Sequence, residues 1–214
     1  MLNNRTPKDP NETGRLFIIS APSGAGKTSL IKTVVEQNPN LIVSISHTTR
    51  KPRAGETNKL DYFFVSMSEF RRMAEKNEFL EEALVFDHYY GTSVTFVKAS
   101  LELKKNIILE IDWQGARSIE RAGLKNTSIF ILPPSLRELE RRLKKRGDDP
   151  KIVQRRMRDA INEITHYGEY DYLIINDDFT KAADTLNSII KQSSYKMEDQ
   201  SAKLRSLLAE LMPK

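Results

Sequence analysis

The sequence predicts an α/β fold: a parallel sheet core flanked by helices, carrying a small mixed or antiparallel insert. Three observations predict it. Strand-like and helix-like segments alternate along most of the chain. Several strands, such as "NIILEID" (106–112) and "SIFIL" (128–132), are continuously apolar, as strands covered on both faces are. Between 41 and 92, strands crowd together with few helices, which marks the insert.

The elements follow in order. Residues 1–14 are polar and predicted to be a disordered lead. A short apolar strand occupies 16–21, a Gly-rich turn follows, and a helix runs from about 27 to 37. "LIVSIS" (41–46) is a strand, 47–60 a loop rich in Thr, Pro, Arg and Lys, and "DYFFV" (61–65) a strand. "SMSE" (66–69) has capping-box spacing and opens a helix to about 76. "FLEEALVF" is a strand, "HYYGTS" a turn and 94–104 a helix. Beyond the two apolar strands, helices are predicted at 135–146 and 151–168, split by "GDDP". "YLII" (172–175) is a strand, and 179–193 and 198–211 are helices. No internal repeat is seen, and the last helix has no readable purpose.

Composition narrows the function classes. The chain of 214 residues is 39% hydrophobic and 29% charged, as expected of a soluble globular protein. No apolar run reaches the about 20 residues that span a bilayer. The polar opening has no apolar h-region, so no secretory signal or membrane partner is expected and the location is predicted to be cytoplasmic. Cysteine is absent, which excludes disulfides, thiolate metal sites and cysteine nucleophiles. The net charge is +5, but residues 137–158 alone hold ten Lys/Arg against four acids. Such a cluster fits an anionic partner, or a solvated helix with pairs such as Glu138–Arg142.

"FIISAPSGAGKTSLI" (17–31) places a strand, a Gly-rich turn and a helix start in the order of a phosphate-binding P-loop. Gly24 and Gly26 let successive N–H groups point inward, and the helix N-terminus adds its positive dipole end. Lys27 can reach the β- and γ-phosphates, and Thr28 can offer a hydroxyl to Mg²⁺. Ala21 replaces the usual first glycine, which ordinary negative φ permits. "DWQG" (112–115) and "NKLD" (58–61) imitate GTPase motifs in reversed order, so "NKLD" is read as coincidence. Asp112 ends an apolar strand and can orient Mg²⁺ through water, or serve as a helix cap or salt bridge.

"SHTTRKPRAGE" (46–56) and "DYFF" (61–64) gather Ser46, Arg50, Arg53 and Tyr62. Arg forks grip phosphate in the plane of their N–H groups, and Tyr89 or Tyr90 of "HYYGT" can add a neutral donor. Simple solvation of a polar loop is the favoured explanation of these residues when they are taken alone.

Taken together, the segments resemble the guanylate kinases over roughly 15–192. The motifs are "APSGAGKT", "TTRKPRAGE" with "DYFF", "EFLE", "YYGT", "EIDWQG", "PPS", "LKKRG" and "NDD", in family order. The resemblance implies a P-loop core at 15–45 and 94–194, a GMP-binding insert at 46–93 and a helical lid at about 137–158. A C-terminal helical extension is expected at 195–214. It implies that Ala21, Pro22, Ser23, Gly24, Ala25, Gly26, Lys27, Thr28, Ser29 and Asn176 bind ATP. Arg50, Arg53, Tyr62 and Tyr90 would hold the GMP phosphate, and Ser46, Glu81 and Thr92 would read guanine. Lid residues Arg142 and Arg146 lie i,i+4 on one helix face, and Arg156 or Arg155 completes the cluster. Glu110 stands where many members have Asp near the acceptor nucleoside.

The implied reaction moves the γ-phosphoryl group from ATP to GMP, giving ADP and GDP, with Mg²⁺ and no covalent intermediate. Lys27, Mg²⁺, Arg142, Arg146 and Arg156 would neutralise charge, with Asp112 in support and the lid closing to exclude water. GMP offers N1–H and a 2-amino group to the Glu81 carboxylate; adenine offers neither. The rivals are a non-catalytic guanylate-kinase-like binding module and a kinase for another nucleoside monophosphate. Nucleic-acid binding through 137–158 is not expected, because that segment lacks interleaved aromatics. His47, His88 and His166 are predicted to be structural.

Overall fold

Alternation of apolar strands and amphipathic helices builds the two sheets of the computed structural model, which describes residues 13–85, 87–145, 150–191 and 201–212. One sheet orders the strands Leu41–Ser44, Asn106–Glu110, Leu16–Ser20, Thr127–Leu132 and Tyr172–Ile175, and the other orders Phe63–Phe64, His47–Thr48, His88–Ser93 and Phe79–Val85. The chain divides into two compact units. The first takes the chain up to Phe17, Asn40–Leu109 and Ser118–Asn126; the second takes Ile18–Pro39, Glu110–Arg117 and the chain from Thr127 onward.

In the first unit, β2 (Leu41–Ser44) runs parallel to β7 (Asn106–Glu110), whose last residue belongs to the second unit, from Leu41↔Asn106 to Ser44↔Leu109. The second sheet takes β3 (His47–Thr48), β4 (Phe63–Phe64), β5 (Phe79–Val85) and β6 (His88–Ser93). β3 pairs parallel with β4, and β6 pairs antiparallel with both β3 and β5. This is the mixed insert that the strand crowding predicts. α2 (Met67–Glu75) starts where the capping-box spacing predicts: the Ser66 hydroxyl accepts the Glu69 N–H at 3.1 Å. α3 (Val94–Glu102) is capped the same way by Ser93.

Two local expectations are corrected in this region, and one motif is explained. "HYYGTS" is strand β6, not a turn: two tyrosines favour the pleat, and Asp87, at φ 67°, adopts the reversal conformation instead. The strand expected at 41–46 stops at Ser44, and His47–Thr48 enters the other sheet from what reads as loop. "NKLD" serves its own neighbourhood: the Asn58 side chain accepts the Phe64 N–H, and Asp61 accepts the Thr57 N–H.

In the second unit, α1 (Lys27–Glu36) follows β1 (Leu16–Ser20), whose first two residues belong to the first unit. β8 (Thr127–Leu132) and β9 (Tyr172–Ile175) pair parallel. α5 (Leu136–Lys144) and α6 (Pro150–Ile164) pack through Leu139, Leu143, Val153 and Ala160. α7 (Phe179–Lys191) and α8 (Ser201–Leu211) complete the unit. α8 is part of the core: Leu207, Leu208 and Leu211 bury against Phe130, Leu132, Ile164 and Ile175. One helix, α4 (Trp113–Arg121), has no counterpart in the sequence reading, because its internal Gly115 and the "DWQG" motif hide its period. Among the described residues, no helix is long and apolar enough to cross a membrane.

Candidate functional site

The donor loop is shaped by backbone first. Gly24 and Gly26 hold φ of 96° and 95°, a region that side-chain-bearing residues rarely enter. A turn closes between them and Pro22, whose carbonyl accepts the Ala25 N–H at 3.0 Å. α1 then starts at Lys27 with Gly26 as N-cap and no side-chain cap. The first N–H groups of that helix are therefore left to an anion.

Side chains from distant elements hold the outside of this loop. Asn176, buried after β9, donates Nδ2–H to the Ala25 carbonyl at 2.7 Å. Arg142 of α5 donates Nη1–H to the same carbonyl at 3.2 Å and Nη2–H to the Asn176 carbonyl at 3.3 Å. Its Nε–H is taken by Glu138 at 2.8 Å. The guanidinium groups of Arg141 and Arg142 hold the Glu138 carboxyl down at about 2. A Cβ on Gly26 would stand 2.4 Å from Asn176 Nδ2, so the close fit excludes a side chain there.

Thr28 donates its hydroxyl hydrogen to Glu110 Oε1 at 2.6 Å. The resemblance implies a GMP-side role for Glu110; in the structure its carboxylate bonds the first turn of α1. Asp112 accepts the Gly115 N–H at 3.0 Å and Gln114 Nε2–H at 2.9 Å, the capping arrangement of α4. Sequence reasoning missed Glu163. From α6 it accepts the Ser23 N–H at 3.2 Å. Burial pushes its carboxyl up to about 7, opposed by the charge of Lys27. Nothing local marks it, since it is one acid in a charged helix.

Arg156 shares the partly buried face of α6 with Val153, Ala160 and Glu163, whereas Arg155 is exposed, with Nε 3.9 Å from Asp159. Ala21 and Ser23 are partly buried, Pro22 is buried, and Ser29 is exposed on α1. Arg146 lies outside the described residues, as does most of the predicted lead.

The acceptor set lies in the first unit, around one guanidinium. Arg50 Nη1 and Nη2 donate to the two carboxylate oxygens of Glu56 at 2.9 and 2.8 Å, a planar fork. The guanidinium stands 5.3 Å over the Tyr62 ring and 5.7 Å over the Phe64 ring. Burial works against the charge of Arg50, but hydrogen bonds to Glu56 and Tyr90 outweigh it and raise its pKa. The Tyr62 and Tyr90 rings meet edge-on at 5.9 Å. The structure thus brings Arg50, Tyr62 and Tyr90 together. The Arg53 side chain is exposed, and only its backbone N–H joins the group, bonded to Glu56 at 2.7 Å. Sequence reasoning gave Glu56 no role, and it missed Thr48, whose buried hydroxyl accepts the Arg50 N–H at 3.1 Å.

Glu81 and Thr92 face each other across β5 and β6. Both are buried, and Thr92 Oγ1 donates to Glu81 Oε1 at 2.6 Å. Period-two burial places Glu81 inward and Glu82 outward. On β6, Tyr90 and Thr92 lie two residues apart, hence on one face and about 7 Å from each other. Ser46 is buried just before β3. His47 stacks on Phe63 at 4.6 Å and His166 on Trp113 at 3.8 Å, both in packing roles.

Comparison with known proteins finds relatives along nearly the whole chain. A family model described as "Guanylate kinase" matches residues 13–193. The chain is 49% identical over 203 residues to a guanylate kinase of Pseudomonas fluorescens (strain Pf0-1), covering 94% of this chain and 98% of that relative. It is 48% identical to one of Chromohalobacter salexigens, covering 96% of each. A crystal structure of guanylate kinase from Anaplasma phagocytophilum superposes with a TM-score of 0.71 at 33% identity, covering 92% of this chain and 95% of that one.

Proposed function

The chain belongs to the guanylate kinase family, and on that premise we propose how its residues transfer the γ-phosphoryl group of ATP to GMP. The observation that carries the acceptor reading is the buried Glu81–Thr92 pair on the same strand face as Tyr90. Tyr90 of the phosphate clamp and Thr92, the partner of the base-reading carboxylate, lie two residues apart on one strand face, which suits the two ends of a nucleoside monophosphate. Guanine satisfies Glu81 through N1–H and the 2-amino group. Adenine would leave a buried carboxylate facing a lone pair, which a site of this kind rejects by ~10⁴–10⁵-fold. Ser46 and Thr92 complete the base contacts, and Arg50, Arg53, Tyr62 and Tyr90 hold the phosphate.

On the donor side, the loop 21–26 and the open N-terminus of α1 receive the triphosphate, and Lys27 bridges its terminal groups. Ser29 lies in the first turn of α1, and Asn176 borders the adenine side. Arg142 is committed to the carbonyls of Ala25 and Asn176, so its contact with phosphate requires those bonds to exchange. Arg156, with Arg146, adds positive charge from the lid.

The residues present fit Mg²⁺: Thr28 and Glu110 offer hard oxygen atoms beside the loop, with Asp112 acting through water. Among the described residues no group of three or more His, Cys, Asp or Glu could cage a metal, which suits an ion shared with nucleotide phosphates. When bound, Mg²⁺ neutralises charge on the β- and γ-phosphates. The acceptor oxygen is already anionic, so no strong general base is needed. Catalysis is then positioning and charge neutralisation by Lys27 and the arginines. The absence of cysteine supports a cytoplasmic setting.

A coupled assay with ATP, Mg²⁺ and each of GMP, AMP, CMP, UMP and dTMP tests this reading. ADP release that depends on GMP, and at most weakly on the others, is the expected result. Equal rates with AMP would overturn the role given to Glu81.

A further inference from the structure

We propose that Glu163 is a positioning residue of the donor loop: its carboxylate, delivered by α6, pins the Ser23 amide and sets the stance of Lys27. The inference rests on the donor-site reading above.

The geometry is specific. Ser23 precedes Gly24, the first left-handed residue of the loop, so an anchor at its N–H fixes the chain where the curl begins. The anchor comes from a helix 140 residues further along the chain. Glu163 lies seven positions after Arg156 on the same face of α6, so one rigid helix carries both the lid arginine and the loop anchor.

A carboxylate is a costly choice for this place. Burial disfavours its charge, and Asp112 and Asp159 repel it, while Lys27 is the cation that offsets them. A Gln or Ser could accept the Ser23 N–H without that cost. What the carboxylate adds is attraction on Lys27 before the triphosphate arrives. Lys27 is the cation that must face the phosphates, and a preset ammonium avoids reorganisation when they bind. On binding, the phosphates take over as its partner.

The test compares Glu163→Gln and Glu163→Ala in steady-state kinetics, with ATP and GMP varied in turn, alongside thermal unfolding. Glu163→Ala should raise KM for ATP about tenfold and leave KM for GMP within about twofold, because the anchor acts on one substrate only. Glu163→Gln keeps an oxygen for Ser23 and should restore most of KM for ATP, while kcat stays several-fold low because Lys27 has lost its counter-charge. If the alanine variant does not fold, the glutamine variant decides through kcat. Equal losses for ATP and GMP that track a lowered Tm would mean a merely structural residue and overturn the inference. So would variants with the wild-type constants. If the wild-type chain does not phosphorylate GMP, it is the functional reading that fails instead.

Discussion

Arg50 and Glu56 meet fork to fork, both mostly buried, with side-chain exposures of 10% and 19%. The pair holds an arginine in one orientation before any substrate arrives. Glu56 therefore fixes the stance of Arg50 in the proposed acceptor clamp. Its carboxyl lies below the usual range because the Arg50 guanidinium stabilises the charge.

Removing one partner of such a pair leaves the other charge stranded. Glu56→Ala should cost roughly 2–4 kcal/mol of stability, near the range for broken buried pairs. It should also raise KM for GMP more than KM for ATP. GMP should raise Tm less in the variant than in the wild type, since weaker binding stabilises less. Thermal unfolding with and without GMP checks this; an identical GMP shift in both proteins would contradict it.

Selection of the base should rest on Glu81. Glu81→Ala should lower the GMP-over-AMP ratio of kcat/KM by ~10²-fold or more, because the discriminating acceptor is gone. Thr92→Val should lower it less, since it removes only the hydroxyl that orients Glu81. Competition kinetics with the two monophosphates measure both. A preserved ratio in Glu81→Ala would remove Glu81 from base reading.

The donor loop should not tolerate a side chain at Gly26. Gly26→Ala faces a left-handed backbone that costs roughly 1–2 kcal/mol. It also places a methyl 2.4 Å from Asn176 Nδ2. ATP binding should fall by at least an order of magnitude, and adding Asn176→Ala should recover part of it by relieving the contact. Titration with a fluorescent ATP analogue reads the effect. Wild-type affinity in Gly26→Ala would refute the close-fit account.

Acid should act on the fold with both signs. Burial lowers the pKa of His47 below its ordinary value of 6.5. The unfolded chain then binds a proton first, so this contribution is full above 6.5 and is lost as pH falls toward the lowered folded value. Glu56, lowered from 4.5, contributes above that value and is lost at still lower pH. Glu163 has the opposite sign. Its folded pKa is raised to about 7, so its contribution is full below 4.5 and fades as pH rises through about 7. Glu163→Gln should therefore unfold at a higher temperature than wild type at pH 8 and show little gain at pH 5. Calorimetry of both proteins across this range gives the signs; a Tm of Glu163→Gln, which lacks the opposing carboxyl, that rises as pH falls from 7 to 5 would count against the His47 step.

The sequence by itself determined what short spacing encodes. The alternation of elements, the strand–loop–helix order around "APSGAGKT", the capping box at Ser66 and the cluster after "TTR" are all local patterns. Backbone geometry over a few residues depends on those residues, so they are legible without a partner. Only the tertiary structure decided that Glu110 bonds Thr28, that Glu163 anchors Ser23 and that Asn176 grips Ala25, across 82, 140 and 151 positions of chain. It also turned Asp112 to the start of α4, exposed the Arg53 side chain and made α8 part of the core. Such meetings follow from strand order and helix docking, which no short window contains. A lone acid in a charged helix reads the same whether it faces water or a phosphate loop, and packing alone separates the two cases.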